Sequence, residues 1–298
     1  MKNTFYLCIL SFLHHVKIPG ILSFLHWTLS LLHHVKALAV KVPAIFLFIP
    51  ALVLADPTGR EVMEKQKNMH KVSSEIGSEK MILVDKSGKK ENRDLKRYSK
   101  EAEKDVYRGL VVFLGPSDIR GTALLNWQHK NRSDDQWLHL PAQGKMQRIA
   151  EGGKKNYFMG TDFTYEDLQS EDIDVYNYNV LRKEKCDTHE CYVIEATPKT
   201  PAKEKETAYK KRVLWIRTDV LVTTKTEFYD KRDKLLKTQT NLDFENIKGT
   251  VWRSKKGIMD NHKANHKTLV MTVERKVDTT IADPTFTERF VLSGQHTN

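Results

Sequence analysis

The first 55 residues contain no aspartate, glutamate or arginine, although the 298-residue chain holds 38 acidic side chains. Lysines supply the only formal charges there, so this head is a different compositional class from the rest. Cysteine is also scarce, with three in all: Cys8 in the head, and Cys186 and Cys191 far beyond it. The residue directly after the head is Asp56 rather than a cysteine, so the chain is not expected to be an acylated lipoprotein of the usual kind. There is no Gly-x-Ser-x-Gly elbow, no His-Glu-x-x-His pair and no glycine-rich loop followed by Lys-Ser/Thr. The common hydrolase, zinc-peptidase and nucleotide-binding chemistries therefore have no motif to rest on. The seven histidines past residue 55 show no recurring ligand spacing. No cofactor or metal is expected.

A long uninterrupted hydrophobic run is missing too. Val42 to Leu54 is apolar but short of the roughly 20 residues that span a bilayer, and Pro43 and Pro50 interrupt it. Lys36 and Lys41 precede this run and Val53-Leu54-Ala55 closes it, the order of a secretory signal with cleavage after Ala55. The mature chain, 56–298, is then expected in the periplasm. Further upstream, Ser11-Phe-Leu-His-His-Val-Lys17 recurs almost unchanged as Ser30-Leu-Leu-His-His-Val-Lys36, which points to a true start near Val35. The rival reading makes Ile18 to Leu32 a retained anchor, against which stand Pro19-Gly20 and His26.

What remains is basic, since all but four of the 49 lysines and arginines lie past the head. These charges are scattered, as suits a solvated β-protein surface that resists pairing at its edges. No composition shift or flexible linker divides 56–298, so one domain is expected. In an oxidising compartment Cys186 and Cys191 read as a disulfide closing a four-residue hairpin loop. A metal site using His189 is the alternative, but it lacks a fourth ligand.

Thr58-Gly-Arg-Glu61 is a capping box, and the apolar residues after it predict a first helix of about three turns. Lys80 to Asp85, a Lys-Ser-Gly turn, polar Arg93 to Ser99 and Leu110 to Leu114 follow as an antiparallel meander. Further strand-like runs are Cys191 to Glu195, Arg212 to Arg217, Val220 to Tyr229, Leu235 to Phe244 and Thr268 to Val273, and their alternation leaves one face wet. Asp283 to Leu292 carries its own start signals, Pro284 and the Thr285/Glu288 pair, and predicts a short terminal helix. The acidic cluster Asp162, Glu166, Asp167, Glu171, Asp172 and Asp174 does not match a calcium loop, and Thr164-x-x-Asp167 reads more simply as a helix cap.

The most distinctive block runs Gly115-Pro-Ser-Asp-Ile-Arg-Gly-Thr-Ala-Leu-Leu-Asn-Trp127, then Asp134-Asp-Gln-Trp-Leu-His-Leu-Pro141, Arg148-Ile149 and Tyr157-Phe-Met-Gly-Thr-Asp-Phe-Thr-Tyr-Glu-Asp-Leu168. It closely resembles the outer-membrane lipoprotein-sorting protein family, the LolA-like proteins often associated with resistance-nodulation-type lipid exporters. Looser similarity continues through Tyr209 to Trp215 and on to Phe290. The resemblance implies an α+β fold, mainly antiparallel β: an incomplete, unclosed barrel whose concave apolar face is partly covered by helices.

It also implies a non-enzymatic periplasmic carrier that shields a lipid or lipoprotein acyl chain, with an inner-membrane lipid exporter as a partner. A monomer is expected, and no nucleic acid. Moving a chain of about 16 carbons through water exposes about 0.8 kcal/mol per methylene, hence the need for cover. Large apolar residues in the block, Trp127, Trp137, Leu140, Phe158, Met159 and Phe163, are the candidate lipid contacts. Sheet packing is the alternative for the two tryptophans, and Phe158 to Phe163 reads either as a lid that re-packs or as a rigid plug. Asp134, Asp135, Arg148, Asp162 and Asp167 are expected to order the loops through caps and ion pairs. In the carrier that gives the family its name an arginine tethers the lid, and the sequence alone does not place its counterpart. Two other classes stay open: a sensor that recognises lipoproteins and signals to a membrane regulator, and a lipid-acting enzyme using the acidic cluster or His139.

Overall fold

A computed structural model describes residues 56–297. They form one antiparallel sheet of thirteen strands in the order β6-β5-β4-β3-β2-β1-β13-β12-β11-β10-β9-β8-β7. The chain starts at the middle of the sheet with β1 (Ser74–Val84) and meanders outward through β2 (Lys90–Glu103), β3 (Val106–Gly115), β4 (Ala123–Trp127) and β5 (Asp135–Leu140) to the edge strand β6 (Lys145–Arg148). Residues 149–175 then cross to the opposite edge. From β7 (Tyr176–Cys186) the chain works back through β8 (His189–Pro198), β9 (Lys211–Arg217), β10 (Thr223–Tyr229), β11 (Leu235–Lys248), β12 (Val251–Asn261) and β13 (His266–Val277), which pairs with β1. β6 and β7 are both edges, so the barrel is unclosed.

Among the described residues three short α-helices accompany the sheet: α1 (Gly59–Met69), α2 (Pro201–Glu206) and α3 (Glu288–Leu292). The Thr58/Glu61 capping box starts α1 as its sequence requires, satisfying two backbone donors that the first turn leaves free. Val62 and Met63 bury against Ile194, Leu214 and Ile216 of β8 and β9. At Gly59 the helix comes so close to β7 that an added Cβ would lie 2.7 Å from the Tyr178 carbonyl oxygen.

The sheet bends where alternation fails in step on neighbouring strands. Leu242-Asp243 on β11, Lys255-Lys256 on β12 and Val273-Glu274 on β13 are each two consecutive exposed residues. Val273 falls at the register shift opposite Ser78/Glu79 and is 65% exposed. Such bulges increase local bending and twist, which curls a wide sheet into a trough.

Both faces are covered in the β2–β5 half. Val111, Phe113, Leu124 and Leu138 lie on the concave side under the crossing segment, whereas Leu110, Val112 and Leu125 point outward against Ile281, Phe286 and Val291. This explains why Leu110 to Phe113 is an unbroken buried run rather than an alternating one. The expected terminal helix is split: Asp283–Phe286 is a 3-10 turn, and α3 starts afresh with Thr287 as its cap. Cys186 and Cys191 are disulfide-bonded. Cys186 faces His189 across a turn of only Asp187 and Thr188, so the hairpin is tighter than the four-residue loop expected from the cysteine spacing.

Candidate functional site: the concave face

The trough is roofed in two places. At one end α1 lies across β7–β9; at the other a small hairpin of the crossing segment, bridged between Tyr157 and Thr164, fills the hollow. Met159 and Gly160 both take the left-handed conformation, at φ +48° and +73°, the geometry of a tight two-residue hairpin turn. The Thr161 amide donates to the Phe158 carbonyl at 2.9 Å and closes it, and the Phe158 amide donates to the Phe163 carbonyl at 2.8 Å between the two arms.

Polar anchors hold this plug. Arg93 of β2 donates to the Met159 carbonyl at 2.6 Å and lies 5.6 Å from the centre of the Phe113 ring. Asp162 Oδ2 faces His266 Nδ1 and accepts from Thr268 Oγ1, each at 2.7 Å. Asp167 accepts from the Thr164 amide and from the Tyr209 hydroxyl, both at 2.7 Å, and pairs with Lys237. Lys237 is fully buried, donates to the Asp162 carbonyl at 2.9 Å and has the Tyr209 and Phe228 rings 5.3 and 5.2 Å away. A buried ammonium is tolerable only with such partners.

At the β4–β5 end Asp135 sits between Arg132 and Arg148, with His129 Nε2 at 2.9 Å. The Arg132 hydrogen bond, with smaller contributions from Arg148 and His129, holds its carboxyl well below the usual carboxylate range despite burial. Asp134 accepts from the His129 amide at 3.1 Å and offers its carbonyl to Lys154. Burial raises its pKa.

The six apolar candidates do not share one surface. Phe158 is buried between Phe113 and Tyr165, ring centres 5.6 and 5.5 Å apart, with Leu140 and Met159 packed at the margin of the same cluster. Phe163 joins Tyr209, Phe228 and Met259. Trp127 and Trp137 lie on the opposite, outer face, 5.0 Å apart edge to face, and Trp127 Nε1 donates to the Phe286 carbonyl at 2.8 Å. Their period-2 spacing along β4 and β5 puts them on the same side as Leu125. His139 is on that side as well, beside His296 at 5.7 Å, with burial lowering its pKa.

Between α1 and the plug lies an open cavity of about 960 Å³. One wall is apolar and aromatic: Met63, Val72, Leu214, Phe228, Phe244 and Trp252. The other carries Glu166, Glu171, Lys203 and Arg212 around Tyr176. Sequence reading missed Arg93, Lys237 and Arg212, because a lysine or arginine inside an alternating strand looks like any solvated charge until the neighbouring strands are known, and it missed Trp252 because alternation is lost along its strand. The cavity is of ordinary ligand-site size. Its mixed lining suits an amphiphile better than a bare hydrocarbon.

An unclosed antiparallel barrel with a helix and a crossing segment over its concave side is a LolA-like fold. The fold is shared with a LolA superfamily protein from Nitrosomonas europaea (TM-score 0.63, 21% identity, covering 79% of this chain and all of that one). A lipoprotein-sorting relative is similar in sequence as well. A protein from Vibrio parahaemolyticus, assigned as an outer membrane lipoprotein-sorting protein domain, matches with TM-score 0.74 and 32% identity over 78% of this chain and 98% of that one. A DUF1329 family protein from Desulfovibrio piger gives TM-score 0.75 and 29% identity over 80% and 100%. A family model described simply as that of an uncharacterized protein matches residues 105–292. The chain belongs to this outer-membrane lipoprotein-sorting, or DUF1329, family. No curated protein matches it in sequence.

Proposed function

We propose that residues 56–298 act as a single periplasmic carrier that takes up a lipid or lipoprotein acyl chain and moves it towards the outer membrane, without catalysing a reaction. The observation that carries this reading is the open cavity of about 960 Å³ on the concave face, roofed by α1 and flanked by a plug held through polar anchors. Met63, Leu214, Phe228 and Trp252 supply apolar wall for a chain. Leu140, Phe158, Met159 and Phe163 join it as the plug lifts. The signal-like head supports the periplasmic placement, and the family's association with large lipid exporters makes such an exporter the proposed donor.

Native mass spectrometry of the purified chain is expected to show bound lipid, and labelled triacylated peptide is expected to pass from inner- to outer-membrane vesicles in its presence. Absence of both bound lipid and transfer, across phospholipids and the triacylated peptide, contradicts the carrier reading. Binding without transfer, together with stable co-purification of a membrane regulator, favours a sensor instead.

A further inference from the structure

The end of the cavity next to β7 is built with more polar detail than shelter for a hydrocarbon requires. Arg212 of β9 stacks its guanidinium 4.4 Å from the centre of the Tyr176 ring. Its two terminal nitrogens donate to Glu171 at 3.0 and 2.7 Å, and its Nε is buried with no acceptor. Glu166, on the crossing segment, accepts from the Ala208 amide through Oε2 at 2.8 Å. Its Oε1 is buried and receives no donor. Both side chains line the cavity. Both also act on one ring: burial raises the Tyr176 phenol, Arg212 opposes the rise, and Glu166 and Glu171 add to it. Side chains on the cavity wall beside Tyr176 therefore carry one unspent donor and one unspent acceptor, both atoms lying beneath its surface.

Few chemical groups answer both. A phosphate accepts from Arg212 but has no proton for Glu166 in its ionised form, and it brings negative charge towards carboxylates. A quaternary ammonium neither accepts nor donates a hydrogen bond. A hydroxyl does both, and each of the two bonds is assisted by a protein charge. On this wall Glu166 and Glu171 are matched by Arg212 and by Lys203, whose ammonium lies 5.6 Å from the centre of the Tyr176 ring, so it offers no excess positive charge to an anion.

We infer that this end of the cavity receives the uncharged, hydroxylated head of an amphiphile, a hydroxyl taking a hydrogen bond from Arg212 Nε and giving one to Glu166 Oε1. The inference rests on the lipid-carrying reading and narrows it to sugar- or glycerol-headed lipids. Arg212, Glu166 and Tyr176 set specificity for the head, while Leu214, Phe228 and Trp252 take the chain.

Four probes with the same twelve-carbon tail separate the heads: dodecyl glucoside, monolauroylglycerol, dodecyl phosphate and dodecyltrimethylammonium. Calorimetric titration into the full chain, below micelle-forming concentrations, reads their affinities. At least one hydroxylated probe is expected to bind about tenfold more tightly than either charged one, the scale of a hydrogen bond to a charged group. Which of the two does so tells a sugar head from a glycerol head. Glu166→Gln turns the unspent acceptor into a donor, and Arg212→Lys keeps the charge but removes Nε. Each is expected to erase most of that preference without weakening dodecyl phosphate, and if Arg212→Lys fails to fold, Glu166→Gln carries the test alone. Equal affinity for all four heads, tighter binding of the phosphate or the ammonium, or an unchanged preference in folded Glu166→Gln overturns the head assignment while the carrier reading stands. If no probe binds, the head assignment falls, and the lipid-carrying reading falls with it only when phospholipids and the triacylated peptide also fail to bind.

Discussion

Replacing Lys237 by methionine removes the ammonium that ties β11 to the plug but keeps the apolar stem in place. Lys237 is 0% exposed and its partner Asp167 is nearly as buried. The substitution strands a carboxylate that still accepts from the Thr164 amide and the Tyr209 hydroxyl but has lost its counter-charge. Breaking one side of a buried pair costs about 3–5 kcal/mol. The hydrogen bonds left to Asp167 pull the expected loss towards the lower end, about 3 kcal/mol. Lys237→Met/Asp167→Asn removes both charges and is expected to be less destabilised than Lys237→Met alone, with coupling of at least about 1 kcal/mol. Urea unfolding of all four members of the cycle, followed by far-UV circular dichroism, measures this. A loss below about 1 kcal/mol for Lys237→Met, or strict additivity in the double variant, refutes the claim that this pair anchors the plug.

Asp135 has a folded pKa below its unfolded value of about 3.9, so the stability it supplies is present above that value and drains away as pH falls through the folded pKa. Asp135→Asn is expected to lose about 1–2 kcal/mol at pH 7 and to flatten the acid limb of the stability profile, the loss being held down by the half-exposed Arg132 and Arg148. Gly59→Ala improves helix propensity but drives a methyl into the Tyr178 carbonyl, so a net loss of about 1–3 kcal/mol in denaturant unfolding is expected, with an unchanged or raised stability ruling out the close approach of α1 to β7. Replacing Cys186 and Cys191 together by serine should leave a folded protein about 2 kcal/mol less stable, and two free thiols in the oxidised wild type contradict the bridge.

Local signals in the sequence survived into the structure where they depend only on neighbours along the chain. The Thr58/Glu61 box did start a helix, and the Lys80–Leu114 meander became β1 to β3. β12 was not legible, because Trp252-Arg-Ser-Lys-Lys256 spans the bend where two consecutive lysines face outward and alternation disappears. Facing was the other gap. Trp127 and Trp137 share a side by simple parity, but which side is concave depends on the sheet's curl and on what the residues after Ile281 cover. The polar half of the cavity was invisible for a related reason: Glu166 and Arg212 are 46 positions apart in sequence and meet only because the crossing segment returns over β9.

Tryptophan quenching tests the central claim, that a lipid chain occupies the cavity between α1 and the plug, because only Trp252 among the described tryptophans lines it. Titration of the full chain with a lipid brominated along its acyl tail is expected to quench fluorescence saturably. Trp252→Phe should abolish most of that quenching, and Trp127→Phe/Trp137→Phe should leave it intact. Quenching that survives Trp252→Phe and vanishes in the Trp127/Trp137 double variant would place the chain on the outer face and contradict the account.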